Sequence, residues 1–178
     1  MPHTEKVLES TTAFSGRIFH VDQNRVELEN GAQSSREIVR HNFGGACVLA
    51  ETDKGVWFVR QYRCPYDEEL LELPAGKIDP GEAPEQCAAR ELREEAGMVA
   101  DTLIPLGECY PSPGYVDEHI YMYAAQNPQP AAQQLDEDEF LDLVAIPLEK
   151  AVQMVLSGEI RDAKTQIALL KWAMTHKN

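Results

Sequence analysis

The sequence predicts an α+β fold, or a three-layer α/β domain, from the order of its β-rich and helical segments. Strand-like segments fill much of the first half of the chain, and an amphipathic helix follows near its middle. Further strand-like segments then precede two helices at the C-terminal end. With 178 residues, the chain is long enough to bury a sizeable core without covalent crosslinks.

Two strand-like runs near the N-terminus flank the pair Asn30-Gly31. The runs cover residues 17–29 and 36–41. A two-residue hairpin turn of the favoured type needs positive φ at both central positions, and Asn and Gly tolerate this conformation best. The chain is therefore predicted to open with an antiparallel hairpin.

The next two strand-like runs are separated by Asp53-Lys54-Gly55, a composition that suits a tight turn. These two runs and three later ones are predicted strands, at residues 46–52, 56–62, 103–110, 119–125 and 140–147. The stretch 124–134 is rich in Gln, Pro and Asn and is predicted to be a flexible surface loop.

The spacing of apolar residues predicts a helix over residues 84–96. Its apolar stripe, at i, i+4 and i+8, consists of Ala88, Leu92 and Ala96. Pro84 suits the first helical turn and Gly97 is placed as a C-cap. Two further helices are predicted at residues 148–156 and 163–176.

Acidic residues outnumber basic ones by 30 to 16, which gives a formal net charge of -14. This balance argues against a nucleic-acid partner, because phosphate neutralisation by Lys and Arg dominates such binding. No apolar run is long enough to span a membrane, the N-terminus carries charges, and the four cysteines are widely spaced. We therefore expect a cytoplasmic protein with no membrane or nucleic-acid partner.

Three glutamates of the predicted helix stand at i, i+3 and i+4, so their carboxylates share one patch of its surface. They are Glu91, Glu94 and Glu95. Such a patch favours a hard cation, and oxygen ligands select magnesium or manganese. The alternative is a solvated face, because Glu-rich helices commonly expose their charges to water.

The segment from Gly76 to Met98 resembles the Nudix box, Gx5Ex7REUxEExGU, in which U is a bulky apolar residue. The matching residues are Gly76, Glu82, Arg90, Glu91, Leu92, Glu94, Glu95, Gly97 and Met98. The resemblance extends over residues 17–171. It implies the Nudix fold, an α/β/α sandwich around a mixed β-sheet with an N-terminal antiparallel hairpin.

In the Nudix family, the carbonyl of the residue at Ala75 and the three box glutamates hold the metal. The resemblance implies two or more Mg²⁺ ions per site, with Mn²⁺ as the alternative. Arg90 and Glu82 help to orient the metal-binding glutamates in the family, and we count Arg90 and Glu94 among the catalytic residues. A plain surface ion pair is the alternative for Arg90 and Glu82.

Residues 109–123 resemble the marker of the ADP-ribose pyrophosphatase subgroup, in which a proline lies about fifteen residues after the box. Pro113 lies fifteen residues after Met98, between Ser112 and Gly114. In the subgroup, the residue at Glu118 contacts the terminal ribose. A simple turn is the alternative reading of the three residues 112–114.

Upstream, Arg36 and Glu37 resemble a pair that contributes to the adenine pocket from the partner subunit. Charged residues on an edge strand are the alternative, because they also serve solubility. By resemblance, Arg63 meets the diphosphate, and Glu72 lies just before the metal loop.

The acidic stretch 135–140 resembles a mobile loop of the subgroup that supplies a general base and a metal ligand. We assign Glu137 as the base and Glu139 as the metal ligand, with the two roles open to exchange. A mobile base can close over bound substrate and exclude water. An ordinary acidic turn is the alternative.

The predicted reaction is metal-assisted attack of water on ADP-ribose, giving AMP and ribose 5-phosphate. Other NDP-sugars, such as GDP-mannose or ADP-glucose, are the main alternative substrates. Two less favoured alternative functions are a non-catalytic module that senses ADP-ribose and a nucleoside triphosphate hydrolase. The resemblance also implies a homodimer, in which an arm of residues 1–42 is exchanged between subunits and residues 43–178 form the hydrolase domain.

Overall fold

A computed structural model describes residues 3–135 and 139–176 of the chain. The chain divides into two compact units. The first comprises Met1–Gly44 and Tyr110–His119, and the second comprises Gly45–Cys109 and Ile120–Asn178. Within the described ranges, no helix has the length and apolar character needed to cross a lipid bilayer.

The first unit is built on a three-stranded antiparallel sheet in the order β1-β2-β3. Its strands are β1 (Lys6–Ser15), β2 (Phe19–Glu27) and β3 (Gln33–His41). The predicted hairpin is present as β2 and β3, but its loop spans residues 28–32 instead of two residues. Gly31 has a φ of 80°, whereas the Asn30 side chain accepts a hydrogen bond from the Ala32 N–H at 3.0 Å.

Strand β1 was not predicted from the sequence. Nine of its ten residues are exposed and only Leu8 is half-buried. Strand prediction depends on alternation between a buried and an exposed face, and a strand exposed on both faces carries no such signal.

The second unit contains a seven-stranded mixed sheet with the main order β12-β5-β4-β10-β9. Two short strands extend it, because β6 pairs with β5 and β7 pairs with β4. Strands β4 and β10 run parallel, and the other described pairs in this sheet are antiparallel. The strands are β4 (Gly45–Thr52), β5 (Gly55–Arg63), β6 (Glu68–Glu72), β7 (Ala75–Lys77), β9 (Thr102–Cys109), β10 (Ile120–Gln126) and β12 (Leu141–Ile146).

Helices cover both faces of this sheet. They are α1 (Pro84–Glu94), α2 (Leu148–Ser157) and α3 (Ala163–Thr175). Alternate residues of β4 point to opposite faces. Ala46 and Val48 pack with the buried side of α1, whereas Cys47 and Leu49 pack in a second core with α2 and α3. The predicted α/β/α sandwich around a mixed sheet is confirmed.

The predicted surface loop over residues 124–134 is wrong at its start. Ala124 and Ala125 are buried in β10, where they fill the two faces of the sheet. Further on, β11 (Gln129–Pro130) pairs with β8 (Met98–Val99). The sequence of residues 124–134 does not indicate this pairing, because a two-residue strand is too short to show periodicity.

Candidate active site

Helix α1 begins and ends through local interactions that its sequence specifies. Pro84 lies in the first turn, and the Gln86 side chain accepts a hydrogen bond from the Ala83 N–H at 2.9 Å. The helix ends earlier than predicted, with Glu95 at the C-cap. Gly97, two residues further on, has a φ of 59° and turns the chain towards β8.

A short loop and β7 precede α1, and Gly76 in β7 lies against the helix. A β-carbon on residue 76 would lie 1.9 Å from Glu91 Oε1. The carboxylate of Glu91 therefore occupies the space beside the glycine backbone, and it is buried there, with 5% of the residue exposed. The glycine is needed here for close approach of a side chain.

Arg90 connects the loop to three glutamates. Its Nε and Nη2 donate to the two carboxylate oxygens of Glu82, at 2.9 and 3.0 Å. Its Nη1 donates to Glu91 and, at 3.0 Å, to Glu94. Nη2 also donates to the Lys77 carbonyl at 2.9 Å. The predicted Arg90–Glu82 pair is thus present and extends to two of the three box carboxylates.

Glu95 is held from the other side of the site. Its Oε2 accepts a hydrogen bond from the Ala75 N–H at 2.7 Å, and 3% of the residue is exposed. The contact joins the loop residue and the glutamate that the sequence predicted as metal ligands.

Two of the box carboxylates retain protons to unusually high pH. Burial is the main cause that raises the pKa of Glu91 to about 7, with the charges of Glu94 and Glu139 adding to it against the opposing effect of Arg90. Burial likewise raises the pKa of Glu95 to about 8, and Glu91 and Glu139 add to it although the Ala75 N–H opposes it. Carboxylates that are buried this close together disfavour one another's charge.

In the described parts of the chain, no three acidic, His or Cys side chains converge in a geometry that would hold a metal. Arg90 Nη1 donates to one oxygen of Glu91 and to one oxygen of Glu94. The donor set consists of carboxylates, which suit hard divalent cations. The residues therefore fit a hard divalent cation chemically.

Arg63, the residue predicted to meet a diphosphate, lies at the end of β5. Its Nε and Nη2 donate to the two oxygens of Glu72, at 2.6 and 2.8 Å. The Arg63 side chain remains 38% exposed, whereas the Glu72 side chain is 3% exposed. A bidentate pair of this kind fixes the plane of the guanidinium and leaves its outer edge open.

The first unit contains the predicted substrate residues downstream of the box. The Ser112 carbonyl accepts hydrogen bonds from the N–H groups of Tyr115 and Val116, at 3.2 and 3.0 Å, so residues 112–116 form a turn. After this turn, Glu118 Oε1 lies 3.7 Å from His41 Nε2. Pro113 and Gly114 are exposed at the turn.

Arg36 and Glu37 are neighbours in β3, so their side chains leave opposite faces of the strand. Arg36 forms an ion pair with Glu5 and donates to the Ser34 hydroxyl at 3.0 Å. Glu37 is exposed. Within the first unit, these two side chains therefore do not line a common pocket.

The predicted general base, Glu137, lies outside the described residues. Glu139 is described, and its negative charge contributes to the raised pKa values of Glu91 and Glu95. An acid in the stretch 135–140 thus interacts electrostatically with the box carboxylates.

Comparison with known proteins identifies the family of this chain. The NUDIX domain family matches residues 40–169, which include α1 and all seven strands of the mixed sheet. The chain belongs to the Nudix family. This membership confirms the family resemblance of the segment from Gly76 to Met98.

Relatives of this Nudix protein match it over almost its whole length. An ADP-ribose pyrophosphatase of Bacillus subtilis (strain 168) is 41% identical over 168 residues, covering 93% of this chain and 90% of the relative. A methanol dehydrogenase activator of Bacillus methanolicus is 39% identical, covering 97% of each chain. A solved structure of an ADP compounds hydrolase has a TM-score of 0.87 and 26% identity, covering 97% of this chain and 95% of that one.

Lys164 and His41 were not predicted from the sequence, and the structure places them beside Glu72 and Glu118. Lys164 donates to Glu72, and His41 lies near Glu118. Both contacts join positions far apart in the chain, so no local spacing could have revealed them. The local signal for Lys164 is a lysine in the first turn of an amphipathic helix, between Asp162 and Thr165.

Proposed function

We propose that this Nudix protein hydrolyses the pyrophosphate bond of ADP-ribose, giving AMP and ribose 5-phosphate. The observation that carries the proposal is the arrangement of Glu91 against Gly76 and of Glu95 against Ala75. This arrangement places two box carboxylates beside the backbone of residues 75 and 76, and carboxylate oxygens are the ligands that hard divalent cations prefer. The name of the 41% identical relative supports ADP-ribose as the substrate.

The residues that would hold divalent cations are Glu91, Glu94, Glu95, Glu139 and the carbonyl of Ala75. We propose two or more Mg²⁺ ions per site, with Mn²⁺ as a substitute. When bound, such ions neutralise the diphosphate and lower the pKa of water towards neutrality. Binding requires the glutamates to give up their protons.

The protein's own groups orient the substrate and move the proton. Arg90 positions the box glutamates through its contacts with Glu82, and Arg63 offers the open edge of its guanidinium to the diphosphate. Glu137 accepts the proton of the attacking water. A base on the stretch 135–140 can approach after the substrate has bound, so that base, water and phosphorus meet away from bulk solvent.

Residues of the first unit select the rest of the substrate in this proposal. Glu118 contacts the terminal ribose, presented by the turn at Ser112, Pro113 and Gly114. Arg36 and Glu37 serve the adenine pocket of the partner subunit.

A homodimer is part of the same proposal. The arm of residues 1–42 exchanges between subunits, and residues 43–178 form the hydrolase domain. The exposure of β1 supports such an exchange, since an edge strand that is exposed on both faces can still pair or pack with another chain. A cytoplasmic location also belongs to the proposal.

The test is a magnesium-dependent activity panel with product identification. The panel contains ADP-ribose, GDP-mannose, ADP-glucose, NADH and nucleoside triphosphates. We expect the highest kcat/KM for ADP-ribose, with AMP and ribose 5-phosphate in equal amounts and no turnover in EDTA. A higher kcat/KM for another NDP-sugar would replace the substrate and keep the reaction.

Matched glutamine variants on α1 test the site itself. Glu95→Gln removes a buried box carboxylate, whereas Glu85→Gln removes an exposed glutamate from the first turn of the same helix. We expect Glu95→Gln to lower kcat by about a thousandfold or more and Glu85→Gln to leave it unchanged. Wild-type activity and metal dependence in Glu95→Gln would refute the proposed metal site.

A further inference from the structure

Four charged side chains form a network around Glu72 in the second unit. Arg63 and Lys164 both donate to Glu72, and Lys164 Nζ also lies 3.0 Å from Asp162 Oδ1. The charges alternate along the network and sum to zero. Arg63 is 38% exposed, whereas Lys164 is 10% exposed and Glu72 is 3% exposed. The network therefore has its more exposed end at the Arg63 side chain, whereas Glu72 and Lys164 are enclosed.

Burial of Lys164 demands charged partners, because a buried ammonium without them is costly. Burial by itself lowers the pKa of Lys164, but the carboxylates of Asp162 and Glu72 outweigh it and the net shift is upward. The ammonium is thus held in its charged form. Within the described ranges, its ion pairs are with Glu72 and Asp162 and not with a box carboxylate, so its contact with the site runs through Glu72.

The two oxygens of Glu72 are used differently. Oε1 accepts from Arg63 Nε at 2.6 Å, whereas Oε2 accepts from both Arg63 Nη2, at 2.8 Å, and Lys164 Nζ. Two parallel hydrogen bonds fix the plane of the guanidinium. The single negative charge of Glu72 is paired with two cations, Lys164 and Arg63. Glu72 therefore orients Arg63 but does not fully neutralise its positive charge.

The first turn of α3 also contacts the backbone directly after β6. Asp162 caps the helix by accepting from the Thr165 N–H at 3.0 Å. The Thr165 hydroxyl in turn accepts from the Leu73 N–H at 2.8 Å, and Thr165 is completely buried. Leu73 follows Glu72 directly. The start of α3 therefore fixes both the backbone and the carboxylate that orient Arg63.

We propose that Lys164 is a positioning residue that acts through Glu72 on Arg63, keeping the guanidinium oriented and electropositive towards an anionic diphosphate. The inference rests on the proposed function in one respect, the contact between Arg63 and the diphosphate. A purely structural lysine, which only joins α3 to β6, is the competing explanation. The two differ in their effect on substrate binding in a protein that remains folded.

Binding and kinetics in a double-mutant cycle separate the two explanations. The variants are Lys164→Met, Arg63→Met and the combination of both, with Lys171→Met as the matched control. Lys171 is on the same helix but donates to the Leu106 carbonyl, at 2.6 Å. The measured quantities are the dissociation constant of the non-hydrolysable analogue α,β-methylene-ADP-ribose with magnesium, KM and kcat for ADP-ribose, and the thermal midpoint.

We expect Lys164→Met to weaken analogue binding and raise KM about tenfold while kcat changes by less than about threefold, because uniform binding is lost. Arg63→Met should have at least the same effect. The double variant should match Arg63→Met within about twofold, since two residues on one path are non-additive. Lys171→Met should bind like the wild type.

Independent, multiplicative effects in the double variant would overturn the proposal, as would unchanged analogue binding in folded Lys164→Met. If Lys164→Met does not fold, Lys164→Gln keeps a hydrogen-bond donor without the charge and is judged by the same criteria. Failure of the proposed function looks different, because wild type and Lys171→Met would then bind the analogue without hydrolysing ADP-ribose. The binding cycle would still decide the role of Lys164 in that case.

Discussion

Glu91 fills the space that a side chain on residue 76 would need, with its Oε1 1.9 Å from the position of a β-carbon there. The observed position of the Glu91 carboxylate in α1 therefore requires a glycine at residue 76 in β7. The contact links the loop before the helix to the carboxylate patch on the helix.

Gly76→Ala should displace the Glu91 carboxylate while leaving the fold intact, because the tip of a side chain can move more easily than backbone. We expect kcat to fall by about a hundredfold, the scale of a misplaced catalytic group. The thermal midpoint and the magnesium dependence of activity are measured alongside. Gly45→Ala is the control, since its β-carbon would lie 3.4 Å from the nearest atom, an ordinary contact. Equal losses in both variants would contradict the special role of the contact with Glu91.

The stability of the metal-free protein should depend on pH through Glu95. The pKa of Glu95 is raised from 4.5 to about 8 in the folded protein, so the folded state binds the proton more tightly than the unfolded chain. The free energy of unfolding from this group therefore falls as the pH rises from about 4.5 to about 8. Glu91, with its pKa raised to about 7, contributes in the same direction.

Glu95→Gln removes this penalty and keeps an oxygen that can accept from the Ala75 N–H. In EDTA, we expect the variant to gain stability over the wild type on the order of 2 kcal/mol at pH 8 and much less at pH 5, because one pKa unit corresponds to about 1.4 kcal/mol. Urea unfolding at the two pH values measures the difference, with Glu85→Gln as the exposed control. A gain that is the same at both pH values would show that Glu95 is not the titrating group.

Arg90 should stabilise the metal-free protein because it offsets the charges of Glu82, Glu91 and Glu94. Removing one partner of a half-buried charge network leaves the others uncompensated, so Arg90→Met should cost about 2 kcal/mol at pH 8. Arg93→Met, an exposed arginine in the last turn of α1, should cost less than about 0.5 kcal/mol. Denaturant unfolding in EDTA measures both. Indistinguishable values for the two variants would mean that the network contributes nothing to stability.

Glu137→Gln should lower kcat by about a hundredfold or more with KM for ADP-ribose within about threefold, as expected for loss of a general base. Asp136→Asn, in the same acidic stretch, serves as the control and should keep most of the activity. Steady-state kinetics with both variants give the answer. A large rise in KM with unchanged kcat would make Glu137 a binding residue, and a loss confined to Glu139→Gln would exchange the two roles.

Much of the site could be predicted because its residues are near one another in the chain. Helical geometry alone puts Glu91, Glu94 and Glu95 on one patch, and the Nudix box fixes Gly76 and Arg90 at set distances from them. The strands β4 and β5 were predicted for a similar reason, because each is a continuous apolar run bounded by turn residues. Strand β1 and the short strands β7, β8 and β11 were not predicted, since exposed or very short strands show no alternation of apolar and polar residues.

The sequence by itself determined the family, the layered fold and the carboxylate helix, because these depend on local spacing and on hydrophobic patterns. Only the tertiary structure decided that Arg90 lies between Glu91 and Glu94, that burial raises the pKa values of Glu91 and Glu95, and that Lys164 shares Glu72 with Arg63. Burial and long-range ion pairs arise when distant segments pack together. The free energy of a charge depends on those neighbours in space, which the order of residues does not specify.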